Sequence, residues 1–272
     1  MYMGIIFHVC GKKKVSFDMN KCKKTFRGAF TLAEVLITLG IIGVVAALTM
    51  PTLIQNYKDK VIVTRVNKTY SLLQQSFLSA YNQNGEPQLW GLSDDVGGYG
   101  SAANLPGNTN WFNANFKNNV KVVKDCGNKT GCFANQNPLN INGVDWVPFS
   151  LDVAKHYYKF VTADGVAIAI KNSSFNCTKN WGSGVFAQSC GHLIVDIDGS
   201  KGANTYGKDL FMFVLTPRGY YPSGMLDNLN GATFSATYDW NSPMTTAWVI
   251  ANKNVDYLHC SDLSWSGKTR CK

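Results

Sequence analysis

Charge is scarce in this chain of 272 residues: Lys, Arg, Asp and Glu make up 16% of it, where soluble domains average about 25%. With 45% hydrophobic and 12% aromatic residues beside that, a wholly disordered chain and a long coiled coil are both excluded. Twenty-five glycines fall far short of a collagen repeat. The length leaves room for one or two domains with a real core, so a small disulfide scaffold is excluded as well. Histidine is rarer still. His156, His192 and His259 stand apart from one another and from the cysteines, and no Cys-x-x-Cys pair occurs, so a structural zinc site has no ligand set. Gly-x-Ser-x-Gly, His-Glu-x-x-His and phosphate-cradling glycine loops are missing too, which removes the common signatures of hydrolases, zinc proteases and nucleotide enzymes.

The formal charge of +9 suggests a polyanionic partner until its distribution is read. Lys12, Lys13, Lys14, Lys21, Lys23, Lys24 and Arg27 face Asp18 alone within residues 1–29, so that this stretch holds +6 and the remaining 243 residues only +3. A nucleic-acid-binding domain carries its basic face within the domain itself. None is expected here.

An apolar run follows the basic stretch. From Val35 to Met50 only Thr38 and Thr49 are polar, and counting from Phe30 gives 21 residues, about 31 Å of helix against a hydrocarbon core of about 30 Å. The segment can span a membrane, and the Lys/Arg before it places its N-terminal side in the cytoplasm. Glu34 is the anomaly, an ionisable residue near the start of the span. Such a residue asks for a partner or for a seat at the headgroup level.

Lys24-Thr-Phe-Arg-Gly28-Ala29 followed by Phe30-Thr-Leu-Ala-Glu34-Val-Leu-Ile-Thr-Leu-Gly40-Ile-Ile-Gly43 resembles the processing signal of type IV pilins and type II secretion pseudopilins. The resemblance implies a prepilin peptidase that cuts on the cytoplasmic side before a Phe, N-methylates the new terminus and leaves the apolar helix in place. Cleavage between Ala29 and Phe30 makes Glu34 the fifth mature residue and brings Gly43 and Pro51 into the family's register. Cleavage after Gly28, the family's usual residue before the bond, puts Glu34 sixth. The first cut is preferred, and Ala29 in place of Gly is a departure from the pattern. Met19 opens an eleven-residue leader of the family's common length, so residues 1–18 read as an extension. In lipid a buried N-terminal ammonium must be neutralised, and Glu34 of an adjacent subunit is the expected counter-ion. Gly40, Gly43 and Pro51 weaken the helix where it would bend on entering a filament.

From Leu53 to about Gln83 the pattern stays helical and turns amphipathic: Val63, Val66, Tyr70, Leu73, Phe77 and Ala80 or Tyr81 recur at spacings of three and four. Asn84-Gly85-Glu86-Pro87 supplies a stop. The stripe suits packing on the chain's own head better than a coiled coil of about three heptads. Residues 86–145 read as long loops around a short strand at Val120–Lys124. Strands are expected at Lys159–Thr162 and Val166–Ile170 around an Ala163-Asp164-Gly165 turn, then at His192–Ile197, Leu210–Leu215 and, as a short edge, Gly219–Pro222. The expected fold is α+β: a long N-terminal helix on an antiparallel sheet of four or five strands, as the pilin resemblance also implies. The expected parts are a leader (1–29, removed), an assembly helix (30–50), its amphipathic continuation (51–84) and an extracytoplasmic head (85–272).

Cys10 and Cys22 fall in the leader. Cys126, Cys132, Cys177, Cys190, Cys260 and Cys271 lie in the exported part, an even set where disulfides persist. Fifteen pairings are open, and the clustering favours Cys126–Cys132, Cys177–Cys190 and Cys260–Cys271. An even exported set also leaves a cysteine hydrolase without a free thiol. The sharpest constellation is Asp196-Ile-Asp198-Gly-Ser-Lys-Gly-Ala-Asn204-Thr-Tyr-Gly-Lys-Asp209, whose hard oxygen donors suit Ca²⁺ although the layout is not an EF-hand. It resembles the C-terminal loop of pseudopilin heads, some of which bind calcium; the alternative is that Asp and Asn build turns there. Trp90, Tyr99, Trp111 and Trp181 are either glycan or partner contacts or, more commonly for such residues, core anchors.

The main expectation is a structural, non-enzymatic subunit of a type IV pilus or a type II secretion pseudopilus. Its partners would be other pilin-like subunits, a prepilin peptidase and the inner-membrane assembly machinery, with the head in the periplasm or at the cell surface. The rival is a secreted or membrane-anchored binding or enzymatic domain, for which Val45-Ala46-Ala47 offers an ordinary signal-peptidase site.

Overall fold

The computed structural model describes residues 31–97, 100–145, 147–225 and 244–271. Ala29 and Phe30 of the expected cleavage site, with Gly28, and also Tyr99, lie outside them. The chain forms two units, Met1–Tyr57 and Lys58–Lys272.

Helix α1 (Leu32–Asn84) is a single element of 53 residues with Pro51 inside it. Within the first unit its side chains are exposed, Leu36, Ile37, Leu39, Ile41, Ile42, Val44 and Val45 among them. The hydroxyls of Thr38 and Thr49 are spent on the helix's own carbonyls, at Val35 (3.0 Å) and Val45 (2.9 Å). This stretch is long and apolar enough to cross a membrane, and none of it is buried among the described residues.

In the second unit α1 packs on a six-stranded sheet of β1 (Val122–Gly127), β2 (Tyr158–Thr162), β3 (Ala167–Asn172), β4 (Gly191–Asp196), β5 (Leu210–Thr216) and β6 (Gly219–Pro222). The strands follow chain order and each pairs antiparallel with the next, so the fold is α+β. The expected strand positions hold to within two residues except at the end of β1, which runs to Gly127 instead of Lys124, β6 forms an edge as expected, and among the described residues the count is six rather than four or five. Strand β1 starts later than the expected Val120 because Val120 N–H closes the preceding turn on Phe116 O (2.9 Å).

Both faces of the sheet are covered. On one, Val66, Leu73, Phe77 and Ala80 of α1 are buried with Phe160, Ile168, Leu193, Phe213 and Tyr220. Val63 and Tyr70 of the expected stripe are half-buried, and Tyr81 faces outward. On the other, Ala167, Ala169, Ile194 and Leu210 meet Phe133, Leu151, Ala154 and Tyr157 from the loops between β1 and β2. Burial on both sides explains why these strands read as continuous apolar runs rather than alternations.

Residues 86–145 are not simply loops. Helix α2 (Leu105–Trp111) runs on into wider π turns over Phe112–Phe116. Its sequence, Leu-Pro-Gly-Asn-Thr-Asn-Trp, is poor in helix formers, and tertiary bonds hold it. Asn108 Oδ1 accepts Asn172 N–H (2.7 Å), and Asn108 Nδ2 donates to His156 O (2.8 Å). Gly107 is required because a Cβ there would run into the backbone of Ser93. Helix α3 (Thr245–Asn252), also absent from the sequence reading, buries Trp248 and Val249 in the α1-side core. Trp90 and Trp111 are core anchors and Trp181 is half-buried. The three disulfides are Cys126–Cys132, Cys177–Cys190 and Cys260–Cys271, the pairing that clustering favours.

Phe77 is buried in this interface, with rings of Trp90 at 5.9 Å and Tyr220 at 6.1 Å. Phe77→Ala is expected to lower the stability of the full chain in detergent by about 3–5 kcal/mol, read from urea unfolding followed by tryptophan fluorescence.

Candidate functional site

Two places concentrate unusual chemistry. The first is the start of α1. Thr31 donates to Glu34 Oε2 from both its backbone N–H and its hydroxyl (2.8 Å each), and Glu34 N–H donates back to Thr31 Oγ1 (3.2 Å). This reciprocal pair is a capping box, satisfying donors that a helix start leaves open. Glu34 therefore holds a defined orientation at the N-terminal end of the apolar run. Around Gly40 and Gly43 an added Cβ meets nothing within 4 Å among the described residues.

The second is the loop from β4 to β5. Asp196 ends β4, is fully buried, and with Oδ1 accepts the N–H groups of Asp198 (3.1 Å) and Gly199 (3.0 Å). That turn needs Gly199, whose φ is +75° and whose Cβ would clash with Gly165 O. The far end is clasped by Asp209, whose Oδ1 accepts Thr205 N–H, while Ile197 N–H donates to Asp209 O (2.9 Å). From α1, Arg65 Nη1 donates to Ile197 O (2.7 Å).

The side-chain oxygens inside this loop are poorly satisfied. Asp196 Oδ2, Asp198 Oδ1 and both polar atoms of buried Asn204 have no hydrogen-bond partner. Burial, and then the Asp198 carboxyl beside it, push Asp196 well above the usual carboxylate range. Burial also raises Asp209 to about 7, with Asp198 adding to the shift. Buried polar atoms without partners and carboxylates that repel one another are both costly, and a divalent cation would lower both costs for the oxygens, though not for the Asn204 Nδ2 donor. Asp196, Asp198 and the Asn204 amide oxygen are the hard donors that would hold Ca²⁺, with Asp209 fixing the loop. Among the described residues no three His, Cys, Asp or Glu side chains already form a metal cage, so amide, backbone or water oxygens must complete the shell. The structure places Asp196, Asp198 and Asp209 at the two ends of one loop, with Asn204 buried between them in sequence.

Sequence reading missed a third feature. Asp152 accepts the N–H groups of Gly131 (2.7 Å), Cys132 (3.0 Å) and Phe133 (3.0 Å), while buried Lys159 of β2 donates to the backbone oxygens of Asp152 and Ala154. Burial depresses Lys159 to about 8. The histidines, isolated in sequence, are also brought together. The Tyr157 hydroxyl meets His192 Nε2 at 3.1 Å, and its ring lies 4.3 Å from His156. Burial keeps His192 neutral, lowering it to about 3. Only spatial proximity signals either cluster.

A raised carboxylate binds more protons in the folded than in the unfolded state. Without metal, its contribution is therefore present below the ordinary value near 4 and is lost as pH rises through the folded value. In EDTA the thermal midpoint of the head should fall from pH 5 to pH 7.5. Millimolar Ca²⁺ should raise the midpoint by several degrees at pH 7.5 and much less at pH 5, since the ligands must be deprotonated. Asp196→Asn should abolish the calcium response; scanning calorimetry reads all three.

No curated protein and no solved structure matches the chain. A family model does match residues 52–263, from just past the apolar run to near the last disulfide, and the chain belongs to that family of unknown function, DUF6613.

Proposed function

We propose that the chain is a pilin-like structural subunit, processed between Ala29 and Phe30 and assembled through α1 into a type II secretion pseudopilus or a type IV pilus. The observation that carries this reading is the first part of α1. It is apolar all round, its two hydroxyls are satisfied on its own backbone, it is not buried among the described residues, and it opens on a carboxylate held in a capping box. A helix with no polar face needs lipid or other apolar helices on every side, and a filament core supplies the second. Cleavage before Phe30 makes Thr31 the second residue and Glu34 the fifth. The capping box holds the carboxylate at the helix end, where the new ammonium of an adjacent subunit requires neutralising.

In this reading the chain performs no bond chemistry. The prepilin peptidase and the inner-membrane assembly machinery act on it from the cytoplasmic side, and its head operates beyond the membrane, where the three disulfides persist. Calcium in the Asp196–Asp209 loop would stiffen the β4–β5 connection of that head.

Intact mass and N-terminal sequencing of protein from membranes of cells that carry a prepilin peptidase test the reading. A chain beginning at methylated Phe30 is expected; a start at Leu48, or an uncut chain, overturns it. Glu34→Ala and Glu34→Gln then separate two roles, since Gln keeps a capping box while removing the charge. Both variants should insert and be cleaved yet enter filaments several-fold less than wild type. Normal incorporation of Glu34→Gln would leave capping as the only role of Glu34.

A further inference from the structure

A groove with a cavity volume of about 600 Å³ opens among the loops that cover the second face of the sheet. Its polar lining is Asn135, Gln136, Asn137, Asp145 and Ser150, with the half-buried ring of Phe149 among them. Leu139, Pro148 and Val153 complete an apolar wall, and no Lys, Arg or His is among the described residues that line it.

The backbone under these side chains is tied on every side. Asp152 and the Cys126–Cys132 disulfide fix residues 131–133. Leu139 N–H donates to Asn204 O (2.7 Å), and Leu139 O accepts Tyr206 N–H (2.9 Å). Asn140 Oδ1 takes the N–H groups of Asn142 (2.9 Å) and Val144 (3.0 Å), shaping the turn that returns the chain to Asp145. Asn137 Nδ2 then reaches across to Asp145 Oδ2 (2.8 Å). The side chains thus stand on a prearranged frame, which lowers the cost of ordering them around a ligand.

The lining selects among ligand classes. A carboxamide offers a donor and an acceptor in one plane, matched to neighbouring hydroxyls that both donate and accept. Phe149, Pro148 and Val153 offer apolar surface for the C–H face of a ring. With one carboxylate and no cation, the groove gives no counter-charge to phosphate, sulfate or uronate groups. An extended peptide would seek open main-chain donors and acceptors, and those of Leu139 are already taken. The volume lies within the about 300–1,000 Å³ typical of small-ligand sites. We propose that this groove binds a neutral oligosaccharide, giving the head a ligand of its own apart from any role in assembly.

The test uses the full chain in lauryldimethylamine oxide, a detergent without a sugar headgroup. Saturation-transfer NMR and calorimetry probe it with neutral oligosaccharides of glucose, galactose, mannose and N-acetylglucosamine, and with oligogalacturonate as the anionic control. At least one neutral probe is expected to bind with a Kd below about 1 mM. Asn135→Ala combined with Gln136→Ala should weaken it by about tenfold with an unchanged thermal midpoint, because both residues are exposed. Phe149→Leu should weaken it as well, and Leu89→Ala, an exposed residue outside the groove, should not. Absence of binding by every neutral probe at 10-fold that concentration, tighter binding of oligogalacturonate, or full affinity in the Asn135/Gln136 variant each overturns the proposal.

Discussion

The head is organised by the seating of one stripe of α1 on one face of the sheet. Val66, Leu73, Phe77 and Ala80 bury against Phe160, Leu193, Phe213 and Tyr220. At about 1.5–3 kcal/mol for each large side chain, that contact outweighs any propensity term in the helix. A buried polar knot gives the contact its specificity. Asn115 Oδ1 accepts from Ser76 Oγ of α1 (3.0 Å) and from the Tyr220 hydroxyl of β6 (3.1 Å), and the same hydroxyl accepts Trp111 Nε1–H of α2 (2.9 Å). Three segments distant in sequence, α1, the α2 helix with its π turns, and β6, share these few atoms.

The opposite face is built differently. Among the described residues it carries no long helix and is closed by loops, and loops bring backbone N–H and C=O groups that must find partners when buried. Asp152 and Lys159 do that work, one accepting three N–H groups and the other donating to two carbonyls. These buried charges are compensated by backbone dipoles rather than by a direct ion pair with each other. The β4–β5 loop shows the contrary case. There Asp196, Asp198 and Asn204 keep side-chain oxygens without donors, and burial raises Asp196 instead of leaving it compensated by backbone N–H groups alone. Leu139 joins the two regions, bonded to the backbone of the acidic loop and lining the groove.

The two ends of the chain's chemistry follow different solvents. In the first part of α1 the apolar side chains face outward and the polar groups turn inward onto the helix itself, the inverse of the head. Glu34 is the exception, and its capping bonds to Thr31 put it at the helix end rather than along the apolar surface. The same residue type plays opposite parts in the two units: a carboxylate bonded within its own helix start at position 34, and crowded carboxylates at 196, 198 and 209.

Much of this was legible in one dimension because the signals are local. The apolar run, the stripe at spacings of three and four through Val66, Leu73 and Phe77, the Ala163-Asp164-Gly165 turn and the three short cysteine loops each depend on residues close in sequence. So did the acidic loop, whose donors lie within fourteen residues of one another. Tertiary structure alone decided the helical state of Leu105–Phe116, the pairing of Asp152 and Lys159 with loop backbone, the meeting of His156 and His192 around Tyr157, and the groove beneath Phe149. In most of these the energy comes from burial and hydrogen bonds between segments about twenty or more residues apart, although Lys159 reaches only to Asp152 and Ala154. Local propensity is weak or opposed there, and no pattern along the chain could carry the information.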